Sequence, residues 1–298
     1  MNWQEELRGE INISLKLREP LSVHTSFRIG GPADVFAEVG NMEQLKKLVS
    51  LCKSRSIPLL IIGRGTNLLV RDKGYHGIVA KLCDDFTLAS FDRSSGLITA
   101  GAAVPLPRLS RLACKEGLSG LEFAFGIPGS LGGALVTNAG AGSGSICELV
   151  DAVEVITQDG DEAVITRDEL KFGYRWSNLS EHVCVTKAYL RMKPCQPEEA
   201  IDRMNQIFQK KRTEQPLSEA SAGCVFKNPP GVSAGRLIDQ CGLKGERIGD
   251  ALVSTRHANF IINVGKATAR DVLNLIDRVR SVVRERTGIA LELELRIV

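Results

Sequence analysis

A few side chains stand where their type and neighbours could support a reaction. Cys224 lies in SAGCVFKNP (221–229), between a glycine and a strand-like Val-Phe pair. It could serve as a nucleophile, as an acid or as plain core filler. Arg175 lies in FGYRWS (172–177) and offers a fixed fork of donors to a carboxylate or phosphate. Beside two aromatic residues, its bland alternative is a surface cation–π contact. The terminal run 289–297 alternates strictly: Leu291, Leu293 and Leu295 face one way, and Glu292, Glu294 and Arg296 the other. The alternative there is a solvated strand face. Lys210, Lys211 and Arg212 close a helix, where positive charge offsets the helix dipole. His24, His76, His182 and His257 show no pairing pattern, and the eight cysteines form no CxxC. Neither a metal site nor a catalytic triad is indicated.

Two glycine-rich stretches could hold a ligand against backbone. Gly63, Arg64, Gly65, Thr66, Asn67 and Leu68 follow a buried strand directly. Consecutive N–H groups in such a turn suit a pyrophosphate. The stretch is neither a Walker loop nor the three-glycine dinucleotide fingerprint. Its alternative is a tight turn joining two strands. Residues 126–144 (GIPGSLGGALVTNAGAGSG) are uncharged. They read as a buried or half-buried loop lining a ligand and not as a helix interior, where so much glycine is costly. The alternative is close packing of backbone on backbone. Two such loops in one chain favour a large cofactor with a diphosphate and a planar ring.

The elements that must position these residues follow from periodicity. Residues 42–54 put Leu45, Leu48, Val49 and Cys52 on one helical face, and 58–62 reads as a buried strand. Strand-like pieces follow at 77–82 and 97–101, with a short amphipathic helix over 106–116. A hairpin is predicted from 150–157 and 162–166 around Asp159-Gly160, then a strand over 183–192. A helix begins at Pro197, acidic in its first turn, and runs to about Arg212, with Pro216 just beyond. The strongest helix is 269–286, with a Thr268/Asp271 capping pattern and Gly288 past its end.

The whole chain sets the bounds. Its 298 residues suggest two domains, and glycine (29) is in clustered excess. With 38 basic and 35 acidic residues the net charge is +3, and no long run of one sign supports a nucleic-acid surface. The scattered cysteines read as free, mostly buried thiols of a reducing cytosol. The N-terminal residues carry no apolar signal core, and no stretch approaches a membrane span. The expectation is a cytoplasmic protein with a small anionic ligand.

Taken in order, HTSFRIGGPA (24–33), GRGTNLLV (63–70), 117–141, FGYRWS (172–177), AGCVFKNP (222–229), HANFIIN (257–263) and LELELRI (291–297) resemble the UDP-N-acetylenolpyruvoylglucosamine reductases of peptidoglycan precursor synthesis. The resemblance implies an α+β fold: an FAD-binding fold of the vanillyl-alcohol-oxidase type plus a smaller α/β substrate-binding domain. The implied bounds are an N-terminal segment over 1–22, the flavin domain over 23–194, and the substrate domain over 195–298. The final strand, 289–297, would return to the flavin site.

The resemblance also implies non-covalent FAD, with NADPH as co-substrate and a UDP-sugar as substrate. NADPH would reduce the flavin and leave. Flavin N5 would then pass hydride to C3 of the enolpyruvyl group. Arg175 and Glu294 match the positions that steady charge at C2, with Glu294 protonated through burial, and Cys224 matches the proton donor for C2. Gly63 to Leu68 would hold the diphosphate. Gly126, Ile127, Pro128, Gly129, Ser130, Gly133, Asn138, Ala139, Gly140 and Arg296 would complete the flavin site. Tyr174, Asn228 and His257 match substrate-side positions, and either Lys211 or Arg212 would meet the substrate diphosphate.

The family usually carries Ser where this chain has Cys224. A thiol, of pKa about 8.5, remains a competent acid at neutral pH, so activity should fall at alkaline pH and on alkylation. The length and the spacing after FGYRWS resemble the shorter subgroup, which lacks an extra Tyr-bearing loop. A monomer is expected. The rival readings are another FAD-dependent oxidoreductase of the same fold acting on an alcohol, and a non-enzymatic nucleotide-binding relative. Arg175, Cys224 and Glu294 argue against the latter.

Overall fold

The apolar face predicted for the first helix is the one the protein buries. In the computed structural model, which describes residues 11–142 and 144–298, Met42–Ser54 is helical and Leu45, Leu48, Val49 and Cys52 are its buried positions. Asn41 caps it, its side chain accepting from the Gln44 amide at 3.0 Å. The expected N-terminal segment 1–22 lies in part outside the described residues, as does Ser143 of the second glycine-rich stretch.

Two compact units are each assembled from three stretches of chain. The first comprises the residues up to Leu17, Val35–Arg64 and Gly77–Lys211; the second comprises Arg18–Asp34, Gly65–His76 and Arg212–Val298. This division differs from the expected bounds. Two early stretches join the C-terminal residues, and most of the helix Pro197–Glu214 goes with the first unit.

The first unit contains an antiparallel five-stranded sheet. Its order is Glu162–Thr166, Val150–Ile156, Cys184–Arg191, Leu97–Gly101, Ala89–Asp92. Strand Leu59–Ile62 pairs in parallel with Tyr75–Leu82, at one side of a four-stranded sheet. Helices Met42–Ser54 and Leu106–Lys115 bury their apolar faces in one core with these sheets.

The second unit is smaller. An antiparallel sheet runs Ser221–Cys224, Phe260–Asn263, Ala251–Val253, Arg247–Ile248. Helix Ala269–Thr287 covers its own core through Val272, Leu275, Ile276, Val279 and Val283. The Thr268/Asp271 capping box is formed, and Gly288 closes the helix at φ +74°. The Asp72 carboxylate also accepts from the Ala269 and Arg270 amides, at 2.7 and 3.1 Å.

Two expectations are corrected. Residues 126–144 are not loop throughout, because Leu131–Val136 is a short helix. Burial overrides the glycine cost here: a Cβ on Gly132 would meet the Ala102 Cβ at 2.9 Å, and the Gly132 amide bonds to the Ala102 carbonyl. The predicted strand 289–297 shrinks to Arg296–Ile297, parallel to Leu68–Leu69, with one isolated bridge between Leu293 and Phe226. The Glu294 and Leu295 amides both turn to one carbonyl, that of Val225, which interrupts a regular ladder.

Candidate active site

In the first unit, the glycine-rich stretch and FGYRWS are tied together. Phe172–Gly173 and Trp176–Ser177 form a two-stranded hairpin with Tyr174 and Arg175 at its tip. Ser177, fully buried, donates to the carbonyls of Leu135 and Val136 at 2.8 and 3.1 Å. Asn138 is buried at φ +43°; its Nδ2 donates to the Gly173 carbonyl at 2.8 Å and its Oδ1 accepts from the Cys147 amide at 3.2 Å. That side chain is spent on positioning the hairpin.

Arg175 is held at φ +58°, a conformation that costs a non-glycine residue about 1 kcal/mol. Its Nη1 donates to the Gly140 carbonyl at 3.1 Å, and its guanidinium lies 5.3 Å from the Tyr174 ring centre. The cation–π contact and a directed guanidinium therefore coexist. Tyr174 and Trp176 flank it, both exposed.

The glycines divide by what surrounds them. A Cβ on Gly63 would meet Ser130 Oγ at 2.1 Å, and one on Gly126 would meet the Lys211 stem at 2.7 Å. These are close-packing glycines. Gly133 is exposed, and Ser130 Oγ, at 3.5 Å, is the nearest atom to a Cβ placed there. Ser130 is buried beside both Gly63 and Gly133. A cleft of about 430 Å³ elsewhere in this unit, lined by Asn12, Glu38, Gln44 and Asp84 among others, contains none of the candidate residues.

In the second unit, Cys224 and Glu294 converge on Val225. Between Ser221 and Cys224 the pairing with Phe260–Asn263 shifts register, with Gly223 at φ +77°. Beyond this bulge, the Val225 carbonyl accepts from the Glu294 amide at 2.9 Å. Both Cys224 and Glu294 are half-buried. Asn67 grips the same strand, its Nδ2 donating to the Glu294 carbonyl at 3.1 Å and its carbonyl accepting from the Arg296 amide at 3.1 Å. Gly65, at φ +62°, lies so close to the His24 carbonyl that a Cβ would approach to 2.2 Å. Thr66 is the nearest neighbour of Gly223, its carbonyl 4.0 Å from a Cβ placed there.

His257 is half-buried, and burial lowers its pKa. Its Nδ1 faces the Asn259 amide at 3.3 Å, and its ring meets Phe260 edge-on at 5.0 Å. Asn228 is exposed and its Oδ1 accepts from the Ala234 amide at 2.9 Å, at the start of helix Ala234–Gln240. Arg212 and Arg296 are exposed.

Sequence reasoning missed Ser26, whose Oγ donates to the Ser221 carbonyl at 2.6 Å, and Asn259. Both lie in segments the resemblance used, but no local pattern marks either. Among the described residues no group of three or more His, Cys, Asp or Glu could hold a metal ion, and all eight cysteines are free.

Comparison with known proteins supplies the class first. Residues 33–166 match the family described as FAD binding domain, so the chain is a flavin-binding α+β protein. Residues 215–298 match the C-terminal domain of UDP-N-acetylenolpyruvoylglucosamine reductase. UDP-N-acetylenolpyruvoylglucosamine reductase 2 of Symbiobacterium thermophilum is 45% identical over 98% of this chain and 96% of its own length. The reductase of Moorella thermoacetica is 44% identical over 98% of this chain and 97% of its own. The crystal structure of the reductase from Thermus caldophilus superposes with a TM-score of 0.80 at 40% identity, covering 96% of this chain and 99% of that one. The chain belongs to the UDP-N-acetylenolpyruvoylglucosamine reductase family.

The residues of the first unit fit FAD. The stretch from Gly126 to Gly140 is uncharged, and Gly133 within it is exposed with no side chain, so backbone there can lie close to a flat ring.

Proposed function

We propose that this chain reduces the enolpyruvyl ether of UDP-N-acetylglucosamine to UDP-N-acetylmuramate, using NADPH and non-covalent FAD, with Cys224 as the proton donor. The observation that carries this reading is the junction at Val225. One peptide links Cys224 to the carbonyl that holds the Glu294 amide, so an acid and a carboxyl group are built on one frame. FAD, when bound, supplies hydride transfer: it takes two electrons from NADPH and delivers them to C3 of the enolpyruvyl group.

The chain's own groups do the rest. As C3 gains hydride, negative charge grows at C2 and spreads into the carboxylate. Fixed positive charge and hydrogen bonds stabilise that charge most when they are aimed before the reaction. Arg175, held by Gly140 and by its left-handed backbone, supplies a guanidinium that needs no reorganisation. Glu294, its backbone fixed by Asn67 and Val225, acts in its protonated form and donates to the substrate carboxylate. The Cys224 S–H then gives its proton to C2.

Gly63, Arg64, Gly65, Thr66, Asn67 and Leu68 hold the cofactor diphosphate, and Gly126–Ser130, Gly133, Asn138–Gly140 and Arg296 complete its site. The close packing of Gly63 on Ser130 supports a backbone-built cradle. Tyr174, Asn228, His257 and one of Lys211 and Arg212 contact the substrate. The eight free thiols support a reducing, cytoplasmic setting, and the chain acts there as a monomer. Among the described residues no helix is long and apolar enough to cross a membrane.

The test is anaerobic. The purified yellow protein should bleach with NADPH and recover its absorbance on addition of the enolpyruvyl substrate. A protein that takes up FAD and bleaches, but is not re-oxidised by that substrate, would overturn the reading.

A further inference from the structure

Asn259 is 3% exposed, and both polar atoms of its side chain, together with its own carbonyl, serve one short stretch of chain. Its Oδ1 accepts from the Phe226 amide at 2.9 Å and its Nδ2 donates to the Phe226 carbonyl at 2.8 Å. Its own carbonyl accepts from the Val225 amide at 2.8 Å. One residue thus satisfies three of the four backbone groups of Val225 and Phe226, directly after Cys224. The regular ladder fails just there: pairing with Phe260–Asn263 slips between Ser221 and Cys224, and Gly223 takes φ +77°. A bulge leaves the following backbone without ladder partners, and a carboxamide is the one neutral side chain that can mimic a peptide in both directions.

We propose that Asn259 is a positioning residue for the protonation step: it clamps Val225 and Phe226 so that Cys224 and Glu294 keep a fixed mutual register. The chain of contacts is continuous. Asn259 holds the Val225 amide and both polar groups of Phe226; the Val225 carbonyl holds the Glu294 amide; and Lys227 donates its amide to the Glu292 carbonyl at 2.8 Å. Loosening the clamp frees the peptide that joins the acid to the carboxyl. Arg175 belongs to the other unit. The NADPH half-reaction, which needs neither Cys224 nor Glu294, should therefore be spared. This inference rests on the roles proposed above for Cys224 and Glu294.

The experiment measures both half-reactions by anaerobic stopped-flow, following flavin absorbance, in the parent, Asn259→Ala, Asn259→Asp and Cys224→Ala. In Asn259→Ala, re-oxidation by the enolpyruvyl substrate should slow about 10²-fold while reduction by NADPH stays within about twofold, the size expected when a reacting group is misplaced by about 1 Å. A protonated aspartic acid has the shape and the donor–acceptor pattern of asparagine. Asn259→Asp should therefore re-oxidise well in mildly acidic buffer and lose that rate as the carboxyl ionises, a pH limb the parent lacks. A purely structural role would depress both half-reactions together. Equal slowing of both, or parental re-oxidation in Asn259→Ala, overturns the inference. If Asn259→Ala does not fold, the Asn259→Asp profile decides, and a profile parallel to the parent's overturns it. If Cys224→Ala re-oxidises at the parental rate, the proton-donor reading falls and takes this inference with it. If Cys224→Ala is slow and Asn259→Ala is not, only the inference falls.

Discussion

Asn67 holds Glu294 by its backbone: the Asn67 side-chain amide donates to the Glu294 carbonyl at 3.1 Å across 227 residues of sequence. Two residues on, the Asn67 carbonyl accepts from the Arg296 amide, and the parallel pairing of Leu68–Leu69 with Arg296–Ile297 begins. A turn first read as a phosphate cradle therefore holds the backbone at Glu294. Asn67→Ala removes this hydrogen bond, so it should cost about 1 kcal/mol in a urea unfolding titration. Re-oxidation of the flavin by substrate should slow as well. A stability loss with unchanged re-oxidation would disconnect Asn67 from the placement of Glu294.

Cys224 is expected to be the thiol that couples alkylation to activity. Burial pushes Cys52 up to about 11 and Cys114, Cys147 and Cys184 up to about 12; Cys83, with Asp84 beside it, also rises to about 11. Thiolates react and thiols hardly do, so those sites alkylate slowly at neutral pH. Iodoacetamide should inactivate the parent, and Cys224→Ser should retain turnover and resist the reagent. If Cys224→Ser is inactivated at the parental rate, another cysteine carries the effect.

How far the sequence could be read depends on how local each cause is. Helix Ala269–Thr287 was legible because its cap, stripe and terminal glycine lie within its own residues. Leu131–Val136 was not, because its helix is imposed by burial against Ala102, far away in sequence. The terminal alternation holds at its ends, with Leu291 and Leu295 inside and Glu292 and Arg296 outside, but not at its centre, where Leu293 and Glu294 are both half-buried. Its strand character was overruled by Val225, whose carbonyl takes two amides. Cys224 and Glu294 stood among the candidates with bland alternatives open, and only the family resemblance implied a particular role for each. Asn259 and Asn67 act through bonds spanning 33 and 227 residues, which no spacing rule reveals.

Gly133 tests whether a glycine is kept for folding or for a ligand. It sits exposed in the short helix Leu131–Val136, and an added Cβ would meet nothing closer than Ser130 Oγ at 3.5 Å, an ordinary contact. Alanine in a helix is favoured over glycine by about 0.5–1 kcal/mol. Gly133→Ala apoprotein should therefore melt at or above the parental temperature, while a fluorescence titration shows weaker FAD binding. Unchanged FAD affinity would remove Gly133 from the cofactor site.

His257 gives the second unit an acid sensitivity. Burial lowers its pKa below the ordinary 6.5, and its Nδ1 accepts from the Asn259 amide at 3.3 Å, which requires that nitrogen to be unprotonated. The unfolded chain takes up the proton near 6.5 and the folded chain only further down. The contribution is therefore complete above 6.5 and is lost as pH falls from there through the folded value. The urea midpoint should drop over that window, and His257→Gln should flatten the drop. A His257→Gln curve parallel to the parent's would assign the acid sensitivity to other groups.

Arg175 offers the sharpest separation of stability from activity. At φ +58° its backbone costs about 1 kcal/mol that glycine would not incur. The bond from Nη1 to the Gly140 carbonyl, at 3.1 Å, returns a similar amount, about 1 kcal/mol. Arg175→Gly should therefore melt only slightly below the parental temperature, because relief of the strain offsets loss of the bond and leaves only the exposed cation–π contact with Tyr174 uncompensated. Turnover should behave differently. A preorganised donor aimed at developing charge is worth about 10²–10³ in rate, and glycine supplies none. The expected variant is folded, yellow and reducible by NADPH, yet slow to be re-oxidised by the enolpyruvyl substrate. A large fall in melting temperature matching the fall in turnover would make Arg175 a structural clamp for the hairpin and remove it from the reaction.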